Sequence, residues 1–187
     1  MSEMDIMHQA APTLAGIKAG SLFNCPYHDH QSLVEDCVRL NRILVPKGIR
    51  LVPIRILNDR VLVYVYRSKD IEKILSDKQV EHVLEQYGYT NKQPTHCVAH
   101  LVHRLQEDSS FPHEVGIFLG YPIEDVIGFI EQRECKWIGC WKVYGDVEKA
   151  KQRFDQIHQC TTSYRMMVQQ GIAMRSAIVT DEKRCYV

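Results

Sequence analysis

The sequence predicts one layered domain of the α/β or α+β class, with a mixed sheet of about five short strands and about six helices. The chain has 187 residues, of which 45% are hydrophobic and 25% charged, values typical of a soluble globular protein. Helical and strand patterns alternate along it, without an internal repeat, a linker or a charge block. We therefore expect a single domain over residues 1–187, with residues 181–187 as a tail.

The first elements are a short helix, a strand and a longer helix. Pro12 suits the first turn of a helix that ends at Gly20. Residues 21–23 predict a brief strand. Ser32 and Glu35 have the spacing of a capping box, which predicts that the next helix opens there.

A β-hairpin is predicted next. Residues 49–56 and 61–66 are rich in β-branched and aromatic side chains, and residues 57–60, which include the turn residues Asn58 and Asp59, separate them. Every residue in 61–66 is apolar, so we expect both faces of that strand to be covered. Pro53 cannot donate a ladder hydrogen bond, which predicts an edge strand or a bulge.

In the second half of the chain we predict three helices, two strands and a final long helix. A second capping box starts a helix at Ser76, and another helix covers residues 95–107. Residues 113–119 are interpreted as a strand, and Pro122 starts the helix that follows it. Residues 137–144 predict a strand, and Asp146 caps a long helix that Gly171 ends.

Charge and cysteine usage exclude several classes of function. The 23 basic residues balance 23 acidic ones, so no overall field would attract nucleic acid or an anionic membrane. No apolar run has the length of a membrane span, and the N-terminus is unlike a signal peptide. The seven cysteines are scattered without a C-x-x-C pair, which indicates free thiols and a cytoplasmic location.

Two histidine-rich segments are interpreted as solvated surface rather than as metal sites. His96, His100, His103 and Glu107 share one face of a predicted helix whose other face is apolar. Residues 25–30 combine a thiol, two imidazoles and a carboxylate, but they lack the second ligand pair of a zinc motif. We therefore expect no metal and no cofactor.

Reactive side chains concentrate in the two strands predicted at residues 113–119 and 137–144. His113 and Glu114 open the first, and Cys140 shares a face of the second with Lys142 and Tyr144. An ammonium group near a thiol favours the thiolate. If the two strands pair, His113 or Glu114 would approach Cys140.

Seven blocks of the sequence form a pattern of their own: residues 12–18, 21–23, 62–67, 111–122, 124–126, 139–146 and 160–161. Through these blocks the chain resembles, over nearly its whole length, the bacterial domain-of-unknown-function family 3793. The family implies no established activity, substrate or cofactor.

What the resemblance implies is a set of positions where the family pattern coincides with a chemical argument. These are Lys18, His113, Glu114, Cys140, Trp141 and Lys142. A Cys commonly precedes the first block in the family, where this chain has Ala10 and Ala11.

Two functions are predicted from these residues. The first is a small-molecule-binding or regulatory and interaction protein, with Lys18, Lys142 and Trp141 as candidate ligand contacts and an unknown small molecule or protein as partner. The alternative is a thiol-dependent hydrolase or transferase. In that enzyme Cys140 would be the nucleophile, and His113 or Glu114 the base.

Overall fold

The structure is a computed structural model that describes residues 1–91, 93–107 and 111–183. Within these residues the chain forms ten α-helices, one sheet of three strands and one of two. The mixed α+β class is therefore confirmed. The single sheet of about five strands is wrong, because residues 113–119 form no strand and residues 137–144 fold back on themselves.

The elements are numbered in chain order. The helices are α1 (Glu3–Gln9), α2 (Ala11–Leu14), α3 (His30–Leu44), α4 (Ser68–Leu75), α5 (Lys78–Gln86), α6 (Pro94–Glu107), α7 (Val115–Phe118), α8 (Ile123–Ile130), α9 (Val147–Gln169) and α10 (Met174–Ala177). The strands are β1 (Gly20–Pro26), β2 (Ile49–Leu57), β3 (Arg60–Arg67), β4 (Trp137–Ile138) and β5 (Lys142–Val143). No helix of the described residues has both the length and the apolar character needed to cross a membrane.

The chain divides into two compact units. Unit 1 consists of Met1–Ser68 and Ile157–Val187, and unit 2 of Lys69–Gln156. Each unit is described by itself below, and the single domain stays a prediction. Of the predicted tail, Asp181–Lys183 form a 3-10 helix, and residues 184–187, which include Cys185, lie outside the described residues.

Unit 1 contains the three-stranded antiparallel sheet, with β3 between β1 and β2. Residues 61–67 of β3 are all buried, which confirms the prediction from its continuous apolar run. The register of β2 against β3 shifts between Pro53 and Arg55. The predicted placement of Pro53 in an edge strand, at an irregularity, is therefore confirmed.

A buried arginine joins distant parts of unit 1. The Arg67 side chain is 1% exposed, and its guanidinium donates to the carbonyl oxygens of Thr13, Leu14 and Val179 at 2.7, 2.7 and 2.5 Å. It also forms an ion pair with Asp181 at 3.1 Å. Because carbonyl oxygens surround the cation, its burial costs no lost hydrogen bond.

Two helices begin at an aspartate near the predicted capping serine. Asp29 caps α3, where its Oδ1 accepts from the backbone N–H of Ser32 at 2.8 Å. Asp77 caps α5 in the same way, accepting from Gln79 N–H at 2.7 Å. The capping boxes predicted at Ser32 and Ser76 are therefore wrong in position, since a carboxylate in extended backbone satisfies the first N–H groups.

In unit 2, the segment predicted as a strand at residues 113–119 contains instead the single helical turn α7, Val115–Phe118. Every residue of α7 is buried. A Cβ atom on Gly116 would lie 3.0 Å from Val126 of α8 and 3.2 Å from the Tyr121 ring, so the missing side chain lets α8 approach. The predicted alternation of faces along residues 113–119 is therefore wrong.

Residues 137–144 form a small hairpin rather than one strand. Trp137 pairs with Val143 and Ile138 pairs with Lys142, while residues 139–141 make the turn. A Cβ atom on Gly139 would lie 2.1 Å from Cε2 of Phe154 on α9, so only glycine fits in this turn. Cys140, Lys142 and Tyr144 therefore do not share one strand face, as only Lys142 lies in a strand.

Candidate functional site

Two concave surfaces formed by described residues of unit 2 lie beside the β4–β5 hairpin. The larger, which we call the aromatic cleft, has a volume of about 790 Å³. Its lining residues are Gly120, Tyr121, Pro122, Glu124, Asp125, Trp141, Gly145, Asp146, Lys149, Ala150, Gln152, Arg153 and Gln156. The smaller, which we call the His113 pocket, has a volume of about 340 Å³. Its lining residues are His113, Phe129, Ile130, Gln132, Arg133, Cys135, Lys142 and Tyr144.

Three aromatic side chains form the apolar wall of the aromatic cleft and the packing behind it. The Tyr121 and Trp141 rings stack with centroids 4.7 Å apart and planes 25° apart. Phe154 meets Trp141 edge to face at 4.5 Å. Burial and then the nearby Cys140 thiol raise the pKa of the Tyr121 phenol, which stays protonated at neutral pH.

A buried carboxylate fixes this wall. Asp125, in the first turn of α8, is 4% exposed. Its Oδ2 accepts from the indole N–H of Trp141 at 2.7 Å. Its Oδ1 accepts from the backbone N–H groups of Tyr144 and Gly145 at 2.7 and 2.8 Å. The orientation of Trp141 and the path of the chain after β5 thus depend on one side chain.

Charged groups of both signs line the cleft. Lys149, Arg153 and Gln156 succeed one another along one face of α9. Arg153 Nη1 donates to Gln156 Oε1 at 3.2 Å. Asp146 caps the helix by accepting from the backbone N–H of Lys149 at 3.0 Å, and Glu124 is exposed at the start of α8.

The His113 pocket brings together two of the predicted site residues. The His113 ring meets Phe129 edge to face, with centroids 5.0 Å apart. The Nζ atom of Lys142 lies 5.5 Å from the centre of the same Phe129 ring. Phe129 thus separates an imidazole from an ammonium group that line one pocket.

The thiol in that pocket is Cys135, which the sequence reasoning missed. Its Sγ donates to the carbonyl oxygen of Trp137 at 3.0 Å. Cys140 is exposed in the hairpin turn and lines neither concave surface. The hairpin turns back after two residues per strand, so it places Cys135, not Cys140, beside Lys142.

Glu114 lies inside unit 2 and lines neither concave surface. It is fully buried, and its Oε1 accepts from the Tyr89 hydroxyl at 3.2 Å and from Arg104 Nε at 2.5 Å. Its Oε2 is buried without a hydrogen-bond partner among the described residues. Burial and then the Glu114 charge raise the pKa of the Tyr89 phenol, which therefore acts as a donor to the carboxylate.

Lys18 and the residues of the histidine stripe line neither concave surface. Lys18 belongs to unit 1, where its backbone N–H donates to the Pro12 carbonyl at 3.0 Å. In the histidine stripe, His103 pairs with Glu107 at 3.0 Å, while His100 packs edge-on against Tyr89 at 4.3 Å. In residues 1–91, 93–107 and 111–183, no three His, Cys, Asp or Glu side chains converge as a metal site would require.

Sequence reasoning missed Asp125, Tyr121 and Cys135 as site residues. The only sequence signal for Asp125 is its place in the first turn of a helix, where an acid is favourable whatever it contacts. Its three donors lie 16 to 20 residues further along the chain, beyond the reach of any local pattern.

Comparison with known proteins leads to a family and to no individual relative. Neither the curated proteins nor the solved structures include a match to this chain. The family model described as "Protein of unknown function (DUF3793)" matches residues 6–178. This range contains all of unit 2 and most of each of the two segments of unit 1. The chain therefore belongs to the DUF3793 family, as its sequence blocks predict.

Proposed function

We propose that the protein binds a small zwitterionic molecule in the aromatic cleft of unit 2. The observation that carries the proposal is the pairing of an apolar aromatic wall with charges of both signs in one concave surface. A volume of about 790 Å³ falls within the range of pockets that hold small ligands. The lining also combines apolar rings with a few polar groups, as such pockets do.

The two signs of charge would select the two ends of the ligand. Lys149 and Arg153 would attract a carboxylate or similar anion. Glu124 would attract an ammonium group, since Asp125 and Asp146 already accept backbone or indole N–H donors. A molecule with a single charge would satisfy one side and leave the other unmatched.

The aromatic wall would hold the apolar part of the ligand. Asp125 fixes the Trp141 indole, and Phe154 and Tyr121 pack against that ring. A wall that is already ordered loses little side-chain entropy on binding. Amino acids with an apolar side chain have the required combination of groups, and we take them as the probe class.

The test is calorimetric titration with L-phenylalanine and L-leucine. Two analogues of each probe serve as controls: the amide, which lacks the carboxylate, and the N-acetyl derivative, which lacks the ammonium group. We expect saturable binding of the amino acids and at least about a tenfold loss of affinity for each analogue. Equal affinity for all three forms, or no saturation with any of them, would refute the proposal.

Variants separate the two charged ends. Arg153→Gln should weaken the amino acid and leave the amide unchanged, while Glu124→Gln should weaken it and leave the N-acetyl form unchanged. Arg165→Gln is the matched control, because Arg165 is an exposed arginine of α9 outside the cleft. An equal effect of Arg165→Gln would show a general charge effect instead.

The other predicted functions stay predictions. A regulatory role through a protein partner is compatible with ligand binding. The cleft does not distinguish between these two functions. The thiol-dependent enzyme would need Cys140 near His113 or Glu114, and Cys140 lines neither the cleft nor the His113 pocket. No observation favours it over binding.

A further inference from the structure

We infer that the His113 pocket is a second binding site, selective for a small oxyanion such as phosphate or a carboxylate group. This inference is independent of the zwitterion proposal, because its residues do not overlap with those of the aromatic cleft. The pocket volume of about 340 Å³ is at the lower end of ligand pockets, so it suits a small group.

The charge of the lining points to an anion. Three basic side chains, His113, Arg133 and Lys142, line the pocket, and none of the described residues that line it carries a carboxylate. The Lys142 ammonium lies over Phe129 and forms no ion pair within the described residues. Arg133 forms an ion pair with Glu131, in which its Nη2 lies 2.5 Å from Glu131 Oε2. The side chains available to an anion are therefore Lys142 and His113, with Arg133 held nearby.

The backbone of the pocket carries a second, independent observation. Gln132 follows α8 with a φ of 55°, in the left-handed region that glycine prefers. This is the position where a helix commonly ends on glycine, and a glutamine there costs stability. Gln132 nevertheless supplies a side chain that lines the pocket. Its amide N–H₂ would donate to an oxyanion, which explains a side chain at this position.

The neighbouring groups complete a polar lining around an apolar base. Phe129 and Ile130 form the apolar part of the pocket, and Tyr144 and Cys135 contribute a hydroxyl and a thiol. Burial, then the Cys135 and Asp125 charges, raise the pKa of Tyr144. The hydroxyl therefore stays protonated at neutral pH and is a further donor to a bound oxyanion.

The experiment is a titration of the whole protein with sodium phosphate and with sodium acetate, at constant ionic strength set with sodium chloride. Binding is followed by calorimetry and by the NMR signals of the His113 ring. We expect saturable binding of at least one oxyanion with shifts at His113. Acetate binding alone would identify a carboxylate group as the ligand chemistry, and phosphate binding alone a phosphate group.

Three variants test the assignment of the donors. Lys142→Gln should weaken oxyanion binding at least about tenfold. Glu131→Gln should strengthen it, because it releases Arg133 from its ion pair. Gln132→Gly should raise the thermal stability of the fold and weaken binding, an opposition that a structural role alone would not produce.

The matched control is Lys151→Gln. Lys151 also places its ammonium near an aromatic ring, 4.8 Å from the Trp137 centre, but it is outside the pocket. Binding should be unchanged in this variant. The inference is overturned if neither oxyanion shows saturable binding. It is also overturned if Lys142→Gln binds the oxyanion as tightly as the parent, or if Lys151→Gln loses as much affinity as Lys142→Gln. Loss of amino acid binding in Trp141→Phe with oxyanion binding retained would separate the two sites.

Discussion

The two units use a buried charge in different ways. In unit 1, Arg67 is surrounded by carbonyl oxygens of Thr13, Leu14 and Val179, which lie 53 to 112 residues away along the chain. In unit 2, Asp125 accepts from three donors that lie 16 to 20 residues away. The first charge joins segments from the two ends of the chain, and the second fixes one hairpin.

This difference shows how position decides the role of a buried ion. Unit 1 is assembled from two sequence segments, so a cation that binds both segments stabilises the whole unit. Asp125 stabilises a local arrangement whose exposed side is the aromatic cleft. We therefore expect loss of Arg67 to affect folding, and loss of Asp125 to affect mainly the geometry of the candidate site.

The largest expected effect is that of Arg67→Met. The substitution removes the guanidinium hydrogen bonds to three carbonyl oxygens and the ion pair with Asp181, so the free energy of unfolding should fall by about 3–5 kcal/mol. Urea denaturation followed by circular dichroism measures it. Arg165→Met, at an exposed position, should change stability by less than about 0.5 kcal/mol. A fall below about 1 kcal/mol for Arg67→Met would contradict the role given to this residue.

A smaller loss is expected for Gly139→Ala in the hairpin of unit 2. The added Cβ would lie 2.1 Å from the Phe154 ring, so stability should fall by about 1–3 kcal/mol from overpacking. The same substitution in a Phe154→Ala background tests the cause. There the added methyl group has space, and its cost should nearly disappear. An unchanged cost in that background would mean that the turn itself, not the ring, requires glycine.

Asp125→Asn should have a more local effect. The amide cannot accept from all three N–H donors, so we expect a loss of about 1–2 kcal/mol and a change in the environment of Trp141. Trp141 emission is measured in a Trp137→Phe background, in which Trp141 is the only tryptophan. Asp155→Asn, exposed on α9, is the control. A loss as large as that of Arg67→Met would remove the contrast between the two buried charges.

The smallest effect concerns alkaline pH and two thiols of unit 1. Burial raises the pKa of Cys25 and of Cys160 from 9.0 to about 11. Both thiols stay protonated in the folded state while the unfolded chain ionises. Their contribution to stability is therefore fully present below about pH 9 and lost as pH rises towards 11. Urea denaturation between about pH 8.5 and 10 measures the loss.

Cys160→Ala isolates one of these thiols. The fall in stability between about pH 8.5 and 10 should be smaller in the variant by about 1 kcal/mol, whatever the variant does to stability at neutral pH. Cys140→Ala is the control, because Cys140 is exposed. A parallel pH dependence for the parent and Cys160→Ala would contradict the role of burial.

Much of the secondary structure follows from local patterns. Pro12 in the first turn of α2, the apolar run of β3 and the long helix from Val147 were predictable because each is encoded by neighbouring residues. The segment at residues 113–119 was not. Val115, Ile117 and Leu119 alternate as in a strand, but all the residues of α7 are buried, and a short buried apolar run has no diagnostic period.

The candidate site was predictable only in part. The sequence pointed to Trp141, His113 and Lys142, and each of these lines a concave surface of unit 2. The sequence favours Cys140 rather than Cys135 as the candidate thiol, because its periodicity predicts one continuous strand through residues 137–144. A hairpin of two residues per strand reverses the chain there, and this reversal depends on the contact between Gly139 and Phe154.

By itself, then, the sequence determined a mixed class of helices and strands, the central strand of the three-stranded sheet, the main helices and the membership of the DUF3793 family. The class, the strand and the helices depend on patterns among residues close together in the sequence, and the family depends on similarity over the whole chain. The tertiary structure alone decided which side chains meet: Asp125 with Trp141, Lys142 and His113 with the Phe129 ring, and Arg67 with the far end of the chain. Such contacts join residues that no local period relates, since they form only when the packed backbone brings distant segments together.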